Sequence, residues 1–598
     1  MRRFKMYLLL LALATVILPF SASAEDITLK KATATAEQFF SNCGVSTRSG
    51  SHSRLTLVNA DEINQTRSAS EAYYYIFNRE GGGFVIISAL DAALPVLAYS
   101  LEHSFVTKED GMPENLAEML ELYRYQIKER RRSGVPATLE ELSRWSNATS
   151  STRAGIPEAV DLQTADWGQG TPFNRLCPLD TNGKKTITGC TATAISEVMH
   201  FHKWPKAGHG TLPGYTKTNG ITIPDLPLGH EYQWDKMLPK YKNVSYSEEE
   251  ADAVARLMYD VGVMCQAKYG NSATSAGSVG GVPKLATYMY YDKSILIHYH
   301  NYLTDDQWRT FLREEIGAGR PALCYANIPA GGAGHNFVID GYDAEGRFLV
   351  NFGWNGGSNG YYHVGAFYNS YNIGQIGYIR VMPDKGGSYD HHMYLRRNVA
   401  SDVVYEGMTY ISGSVIPGST FKIRFGAVYN VSTVEMDCEI QFGHYSKDGV
   451  LKGYLRNSPL STHFTVGNYK WWSGVNINVP GDAVIERGDY MEPLYRAAGE
   501  AEWKQFDNAG NEEDRIVGRL PLDLNGASTI TCKKGEKTFV LNSYIGVKWT
   551  LTDPDGGVIR TSNTTTASTT FNLSKYDSGT YTLDLSYAGQ TASVKLTF

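Results

Sequence analysis

A glycine–cysteine pair at the start of a helix-forming run places the tightest constraint on how this chain can fold. Gly189 and Cys190 end a short polar stretch, and apolar residues then recur at helical spacing from Ile195 to Met199. A cysteine at a helix N-terminus lies beside unsatisfied N–H groups and a partial positive charge, which favour the thiolate over the thiol. Gly189 allows the backbone to come close to a substrate carbonyl. A lone cysteine is more often a small apolar residue in a core, so other residues must decide between these interpretations.

The export signal of the chain makes a free thiol unusual. Residues 1–24 have a basic start, an apolar run from Tyr7 to Phe20 and a small-residue cleavage site, which together predict a signal peptide. Seven cysteines are scattered through 598 residues, so their odd number leaves at least one thiol unpaired. No Cys-x-x-Cys pair occurs, which argues against a cysteine zinc site. A free thiol in an exported protein therefore suggests that one of the cysteines is catalytic.

Composition excludes several classes of function. The net charge of −6 gives no broad basic surface, so we expect no nucleic-acid partner. No stretch after the signal peptide is long and apolar enough for a membrane-spanning helix, so we predict a secreted protein, extracellular or on the outer surface of a bacterium. The glycine triplet Gly81–Gly83 lacks the lysine and helix of a phosphate loop. The sequence therefore predicts neither a cofactor nor a bound metal.

Changes in composition divide the chain into five segments. A hairpin around Gly81–Gly83 and an amphipathic helix from Leu116 to Arg132 predict a small α/β front domain. The polar stretch Ser146–Gly155 reads as an exposed linker and a site for proteolysis, as in a zymogen. The predicted segments are a signal peptide (1–24), a pro-domain (25–153), a catalytic domain (154–385), a β-rich domain (386–525) and a terminal β-module (526–598).

The terminal module has the pattern of a β-sandwich. Trp549 lies on an alternating strand, and a second strand begins at Tyr581 after Asp577-Ser578-Gly579. A tyrosine at the start of such a strand resembles the tyrosine corner of immunoglobulin-like sandwiches. We therefore predict an Ig-like module at residues 526–598.

A second motif supplies a partner for the cysteine. A glycine-rich loop, Gly331–Gly334, leads to His335 at the start of a predicted strand, and a second strand runs from Phe348 to Trp354. This pattern is typical of an antiparallel meander, which would place His335 and Asn351 on neighbouring strands. A free cysteine followed downstream by a histidine and an Asn-x-x-Trp has the order found in papain-like thiol proteases.

Hydrolysis through a thiol requires these residue types. The Cys190 thiolate would attack an acyl carbon, and His335 would keep it ionised and then protonate the leaving amine. Asn351 would accept the other ring N–H of His335, and Trp354 would shield that hydrogen bond from water. Gln169, on a glycine-flanked loop, would donate to the developing oxyanion together with the Cys190 backbone N–H.

These motifs, taken in order, resemble the streptopain family, the papain-like cysteine peptidases of bacteria. The resemblance rests on Gln169, Gly189-Cys190-x-Ala-Thr-Ala, His202–Pro205, Gly334-His335-x-Phe-Val-Ile-Asp-Gly, Val350-Asn351-x-Gly-Trp354 and, in the front domain, Tyr75–Arg79 and Gly83–Ala89. It covers residues 25 to about 385. It implies an α+β fold in which an inhibitory pro-domain precedes a papain-like cysteine peptidase domain. The all-β modules that follow, with their predicted Ig-like sandwich, lie outside the resemblance.

The resemblance also implies an activity. Members are secreted zymogens that become endopeptidases when the pro-domain, an intramolecular inhibitor, is removed; they favour bulky apolar residues before the scissile residue. By position, Cys190 is the nucleophile, His335 the acid and base, Gln169 the oxyanion donor, and Asn351 and Trp354 support His335. Phe352 stands where relatives often carry a second tryptophan, so which aromatic side chain shields the histidine is open. The module at residues 526–598 also resembles the secretion-sorting modules of bacterial outer-membrane systems, which implies contact of the β-modules with a cell surface or a secretion machinery.

Two other classes of function share part of this pattern. A Cys-His amidase or a transglutaminase-like enzyme acting on cell wall or protein would use the same pair, although neither is expected to carry this pro-domain. An adhesin with an inactive peptidase domain would explain the β-modules but not the cysteine, histidine and glutamine together.

Overall fold

The computed structural model describes most of the chain outside its N-terminal segment. The described residues are 24–44, 54–58, 72–107, 112, 114–148, 160–300, 303, 305–326, 334–363, 376–386, 389–395, 408–413, 415, 417–486, 489–507, 520–521, 529–532, 537–542, 547–565, 568–587 and 590–598. The predicted signal peptide, apart from Ala24, and the glycine-rich residues 331–333 lie outside this set.

The chain divides into two compact units. One comprises the residues up to Ser278 together with Gln307–Ile376, and the other comprises Val279–Asp306 together with Gly377–Phe598. The predicted pro-domain and most of the predicted catalytic domain share the first unit. This division into two units reflects how the residues pack together. The predicted domain boundaries at residues 153, 385 and 525 stay predictions.

The helices lie mainly in the first unit. They are α1 (Leu29–Asn42), α2 (Glu114–Ser133), α3 (Leu139–Ala148), α4 (Cys190–His202), α5 (Glu248–Met264), α6 (Ser278–Gly281), α7 (Lys284–Tyr288) and α8 (Asp305–Gly317), with a 3-10 turn at Trp234–Lys236. The linker prediction was wrong at its start, because Ser146–Ala148 form the last turn of α3, which Trp145 anchors in the core. Residues 149–155 of that linker lie outside the described residues.

The strands follow in chain order. The front and catalytic segments contain β1 (Leu55–Leu57), β2 (Tyr74–Arg79), β3 (Phe84–Ser88), β4 (Val96–Ser100), β5 (Val160–Asp161), β6 (Thr211–Leu212), β7 (Tyr215–Thr216), β8 (Thr222–Ile223), β9 (Leu226–Pro227), β10 (Leu296–Tyr299), β11 (Ala322–Ala326), β12 (His335–Tyr342), β13 (Phe348–Asn351), β14 (Gly360–Tyr362) and β15 (Ile376–Ile379). The C-terminal segments contain β16 (Met393–Leu395), β17 (Met408–Gly413), β18 (Thr420–Asn430), β19 (Met436–Tyr445), β20 (Leu451–Tyr454), β21 (Leu460–Phe464), β22 (Tyr469–Asn478), β23 (Tyr490–Ala497), β24 (Lys504–Gln505), β25 (Leu520–Pro521), β26 (Thr529–Cys532), β27 (Thr538–Asn542), β28 (Lys548–Thr552), β29 (Val558–Asn563), β30 (Ser568–Asn572), β31 (Thr580–Tyr587) and β32 (Gln590–Thr597).

One antiparallel sheet joins the front segment to the catalytic segment. Its strands run in the order β1-β2-β3-β4-β14-β13-β12-β11. The junction is the pair β4–β14, in which Tyr99 lies opposite Tyr361 with the two rings stacked at 5.1 Å. Val85 and Ile87 of β3 are fully buried against α1 and Trp145. The front segment therefore extends the sheet that contains β12 and β13.

The predicted hairpin and meander are confirmed. Strands β2 and β3 pair around the glycine triplet, and β11, β12 and β13 pair antiparallel in succession. Asn351 lies opposite Val338, three residues along β12 from His335. All but the last residue of β12 are buried, so this strand passes through the core below the site.

The second unit is rich in sheet and shares one hydrophobic core. In its larger part, β18 pairs with β16, β17 and β22. A second sheet in this part has the order β20-β19-β23-β24. The terminal module has sheets ordered β26-β27-β30 and β29-β28-β31-β32. The Tyr581 hydroxyl donates to the Asp577 carbonyl at 2.9 Å, as a tyrosine corner would. The Ig-like assignment itself stays a prediction.

The predicted class, α+β with a β-rich C-terminal region, is confirmed.

None of the described helices is both long and apolar enough to cross a membrane.

Candidate active site

Cys190 is the first residue of α4, as the sequence predicted. Gly189 precedes it with a φ of 85°, and a Cβ at that position would lie 2.7 Å from the Thr274 carbonyl oxygen. Glycine is therefore required here both for its backbone angle and for the close approach of the 270–278 loop. The Thr193 hydroxyl donates back to the Gly189 carbonyl at 3.0 Å, which ties the turn to the first turn of the helix.

His335 begins β12, and its electrostatic and hydrogen-bonding effects are the largest of those that lower the pKa of the Cys190 thiol. Its Nε2 atom lies 3.1 Å from the backbone oxygen of Phe352. Because a carbonyl oxygen can only accept, Nε2 must carry the proton, which leaves Nδ1 for the exchange with the sulfur. The strand β12 and the residue that follows β13 thus bring His335 together with the carbonyl that orients its ring.

The neighbours of Cys190 make its thiol acidic. Burial raises its pKa, but the electrostatic effect of His335 and hydrogen bonds from His335 and Asn336 outweigh this and lower the pKa from 9.0 to about 7. For Cys177, burial outweighs a nearby lysine and raises the pKa to about 12. A thiol that is half ionised near neutral pH is a competent nucleophile.

Asn351 does not have the predicted bond to His335. Its amide donates to the Ala165 carbonyl at 2.9 Å and to Thr164 Oγ1 at 3.1 Å. Its oxygen accepts from the Gly353 backbone N–H and from the Asn359 amide. The prediction was wrong because Asn351 lies opposite Val338 and not His335, so the Phe352 carbonyl supports the imidazole instead. Asn351 holds together the segments on either side of the site.

The backbone of Gln169 is hydrogen-bonded to the segment that leads to Cys190. It is 6% exposed, and its backbone carbonyl accepts from the Thr188 N–H at 3.1 Å, two residues before Cys190. Among the residues that the structure describes, none hydrogen-bonds to its side-chain amide, which leaves that amide able to donate to a ligand. Its role as an oxyanion donor stays a prediction.

The aromatic residues near the histidine contribute differently. The Phe352 ring packs against Tyr362 at 5.4 Å, so this residue acts through its carbonyl and its ring belongs to the core. Trp354 is half-buried, and its indole N–H is buried with no hydrogen-bond partner in the described part of the chain. The shielding role of Trp354 stays a prediction.

Three carboxyl groups lie in or near the interior behind α4. Burial raises the pKa of Glu197 well above its usual range, and Asp166 adds repulsion. Burial likewise raises the pKa of Asp340 to about 7. Glu197 follows Cys190 by two turns on the same helix, so an ionised carboxylate there would oppose the thiolate. Its raised pKa reduces that effect at neutral pH.

Asn336 was not identified from the sequence. It follows His335 and stands out as a buried amide at the start of an apolar strand, and that pattern is the signal that could have found it. No group of three or more histidine, cysteine or acidic residues suited to a metal ion occurs among the described residues.

Two family profiles match this chain. Residues 167–362 match the Peptidase C10 family, and residues 24–127 match the Spi protease inhibitor. The first match contains Cys190 and His335, and the second covers most of the front domain. The profiles are consecutive, as the sequence order of a precursor requires.

Similar proteins come from several bacteria. The thiol protease/hemagglutinin PrtT of Porphyromonas gingivalis is 28% identical over 516 residues, which is 83% of this chain and 56% of PrtT. Streptopain of Streptococcus pyogenes is 28% identical over 327 residues, 52% of this chain and 78% of streptopain. The chain thus spans only about half the length of PrtT.

Two solved structures are also similar. A prointerpain A fragment of Prevotella intermedia is 29% identical and covers 55% of this chain and 100% of that fragment, with a TM-score of 0.44. Active interpain A of the same organism is 32% identical and covers 38% of this chain and 96% of that protein, with a TM-score of 0.34. The resemblance to the streptopain family and the enzyme class, a cysteine peptidase, are confirmed by the matching profile and by PrtT and streptopain. The chain belongs to the Peptidase C10 family.

Proposed function

We propose that this chain is the precursor of a secreted cysteine endopeptidase that hydrolyses peptide bonds in proteins and becomes active when its front domain is removed. The observation that carries the proposal is the contact between Cys190, whose pKa is about 7, and His335, whose other ring nitrogen donates to the Phe352 carbonyl. A thiolate beside an oriented imidazole is the arrangement that acyl transfer through a thiol requires.

The reaction follows from these positions. The Cys190 sulfur attacks the substrate carbonyl carbon, and the Cys190 backbone N–H and the Gln169 amide stabilise the oxyanion. His335 protonates the leaving amine as the C–N bond breaks, which leaves an acyl-enzyme. Water then attacks the thioester, His335 accepts its proton, and the carboxylic acid and the thiolate are released. No cofactor takes part.

The front domain is proposed to be the intramolecular inhibitor. The match of residues 24–127 to an inhibitor profile supports this, and so do its contacts with the catalytic segment. Besides the β4–β14 pair, the Val106 N–H donates to Ser358 Oγ at 2.9 Å, and the Tyr123 hydroxyl donates to the His363 carbonyl at 2.6 Å. These contacts hold the front domain against the turn that follows Phe352, close to the group that orients His335.

The alternative functions receive less support. An amidase or a transglutaminase-like enzyme would use the same dyad, but the inhibitor profile in the front domain favours a peptidase precursor. Contact of the C-terminal modules with a cell surface or a secretion machinery, and their Ig-like character, remain part of the proposal.

The decisive experiment compares the full precursor with its Cys190→Ala variant under reducing conditions. We expect the wild-type protein to cleave itself between the front and catalytic domains and then to digest casein, with activity falling as the pH drops below about 7, where the Cys190 thiol becomes protonated. The alanine variant should remain intact and inactive.

A matched control shows that the variant is folded. Matured wild-type enzyme added in trans should trim the Cys190→Ala precursor at the same position. If the alanine variant instead matures and digests casein as fast as the wild type with no protease added, the proposed function is wrong.

A further inference from the structure

Asn336 joins the catalytic cysteine to a loop that bounds the site. It is 6% exposed and directly follows His335 in β12. Its Nδ2 atom donates to Thr191 Oγ1 at 2.8 Å, and the Thr191 hydroxyl donates to the Ala276 carbonyl at 3.0 Å. The residues that follow each member of the dyad are therefore bonded to each other and to the 270–278 loop.

The orientation of the Asn336 amide is fixed by this chain of bonds. A threonine hydroxyl has one hydrogen, and here Ala276 accepts it. Thr191 can therefore only accept from Asn336, which requires the NH₂ group and not the oxygen on this side. Hydrogen bonds from the Asn336 side chain and from its backbone N–H are also among the causes that lower the pKa of the Cys190 thiol.

Donors of this kind suit a sulfur that carries negative charge. A hydrogen bond from a neutral donor to an anion is about twice as strong as one between neutral groups. The contribution of His335 depends on the proton that it carries, and that proton is lost to the leaving amine during the reaction. An amide does not titrate, so Asn336 stabilises the thiolate before and after that transfer.

We infer that Asn336 is a positioning residue that holds the Cys190 sulfur as an anion within reach of His335, and that Thr191 fixes the orientation of its amide. This inference rests on the proposed function, because it assigns a role in the same site. It adds a third group to the dyad, one that acts by hydrogen bonding alone.

The test measures the thiol directly. Matured enzyme is treated with iodoacetamide over a range of pH, and labelling of Cys190 is followed by peptide mapping. Removing the donor in Asn336→Ala should raise the midpoint of the labelling curve by about one pH unit. Asn336→Asp, which places a carboxylate at nearly the same volume, should raise it further because like charges repel.

Peptidase activity should follow the same shift. For Asn336→Ala, kcat/KM should fall most at pH 6 to 7 and recover towards the wild-type value at a pH above the new midpoint. A residue with only a structural role would lower activity by the same factor at every pH. Thr191→Val should shift the midpoint in the same direction but by less, since the amide stays and only its orientation is released.

Asn430 provides a matched control. It is fully buried in the second unit, and its Nδ2 donates to the Val434 carbonyl at 2.8 Å. Asn430→Leu should destabilise the protein and leave the labelling midpoint unchanged.

The inference is overturned if Asn336→Ala and Asn336→Asp both retain the wild-type midpoint. If Asn336→Ala does not fold, the labelling midpoints of Asn336→Asp and Thr191→Val test the inference instead, and wild-type midpoints in both would overturn it. A wrong function would show itself separately, as activity that survives in Cys190→Ala.

Discussion

Two cysteines of the first unit lie close to the same histidine-bearing strand and have opposite properties. Cys190 begins α4 and touches His335, and its pKa is about 7. Cys324 lies on β11 opposite Phe337, and Ala326, two residues further along, lies opposite His335. Burial raises the pKa of Cys324 far above its usual range, and no other group offsets this.

The difference shows that burial alone does not set the reactivity of a thiol. Burial acts on both sulfurs in the same direction, but only Cys190 has an imidazole and two N–H donors within reach. Cys324 alternates with Tyr325 along a strand, and a strand sends successive side chains to opposite faces. Cys190, at the start of α4, is therefore the proposed nucleophile, whereas Cys324, in the middle of β11, is a core residue.

Removing the imidazole should make Cys190 resemble Cys324. In His335→Ala the pKa of Cys190 should rise towards that of a buried thiol, because His335 supplies the largest lowering contributions. We expect kcat/KM to fall by roughly 10⁴-fold, the upper end of what a positioned acid–base group contributes. Peptide hydrolysis and the pH dependence of iodoacetamide labelling would measure the two effects, with protein matured in trans.

His230→Ala serves as the control for that experiment. His230 is partly exposed in the same unit, and its Nε2 lies 2.6 Å from Asp260 Oδ2. Its loss should leave the labelling curve of Cys190 in place. If His335→Ala and the wild type gave equal labelling curves, His335 would not be the reason that the pKa of Cys190 lies below that of Cys324.

Gln169→Ala should separate thiol ionisation from oxyanion stabilisation. The Gln169 amide is proposed to donate only in the transition state, so kcat should fall by about 10²- to 10³-fold while KM changes little. The labelling midpoint of Cys190 should stay that of the wild type, because no contact of Gln169 contributes to its pKa. A fall in kcat of less than threefold would remove Gln169 from the mechanism.

The sequence sufficed for the parts of the site that depend on local pattern. Helical spacing after Gly189 located the start of α4, and the glycine-rich approach to His335 located the start of β12. The order of the motifs along the chain was enough to pair Cys190 with His335, because that order is typical of one kind of thiol chemistry.

The support of the histidine could not be predicted in the same way. The group that orients His335 is the Phe352 backbone carbonyl, and every residue carries such a group whatever its side chain. Asn351 looked suitable from its spacing, but the register of β12 and β13 and its bonds to Thr164 and Ala165 turn its amide elsewhere. These are consequences of long-range packing, which a local motif does not contain.

The smallest expected effect concerns the buried cysteine itself. Cys324→Ala should leave peptidase activity and the labelling of Cys190 unchanged, because neither cysteine is among the causes that shift the pKa of the other. It should lower the free energy of unfolding by about 1 kcal/mol, since the loss of a buried sulfur leaves a small cavity in a packed strand. Urea unfolding in the Cys190→Ala background, where self-cleavage cannot interfere, would measure this. A large loss of activity with unchanged stability would show that Cys324 takes part in catalysis and that the contrast between the two thiols is wrong.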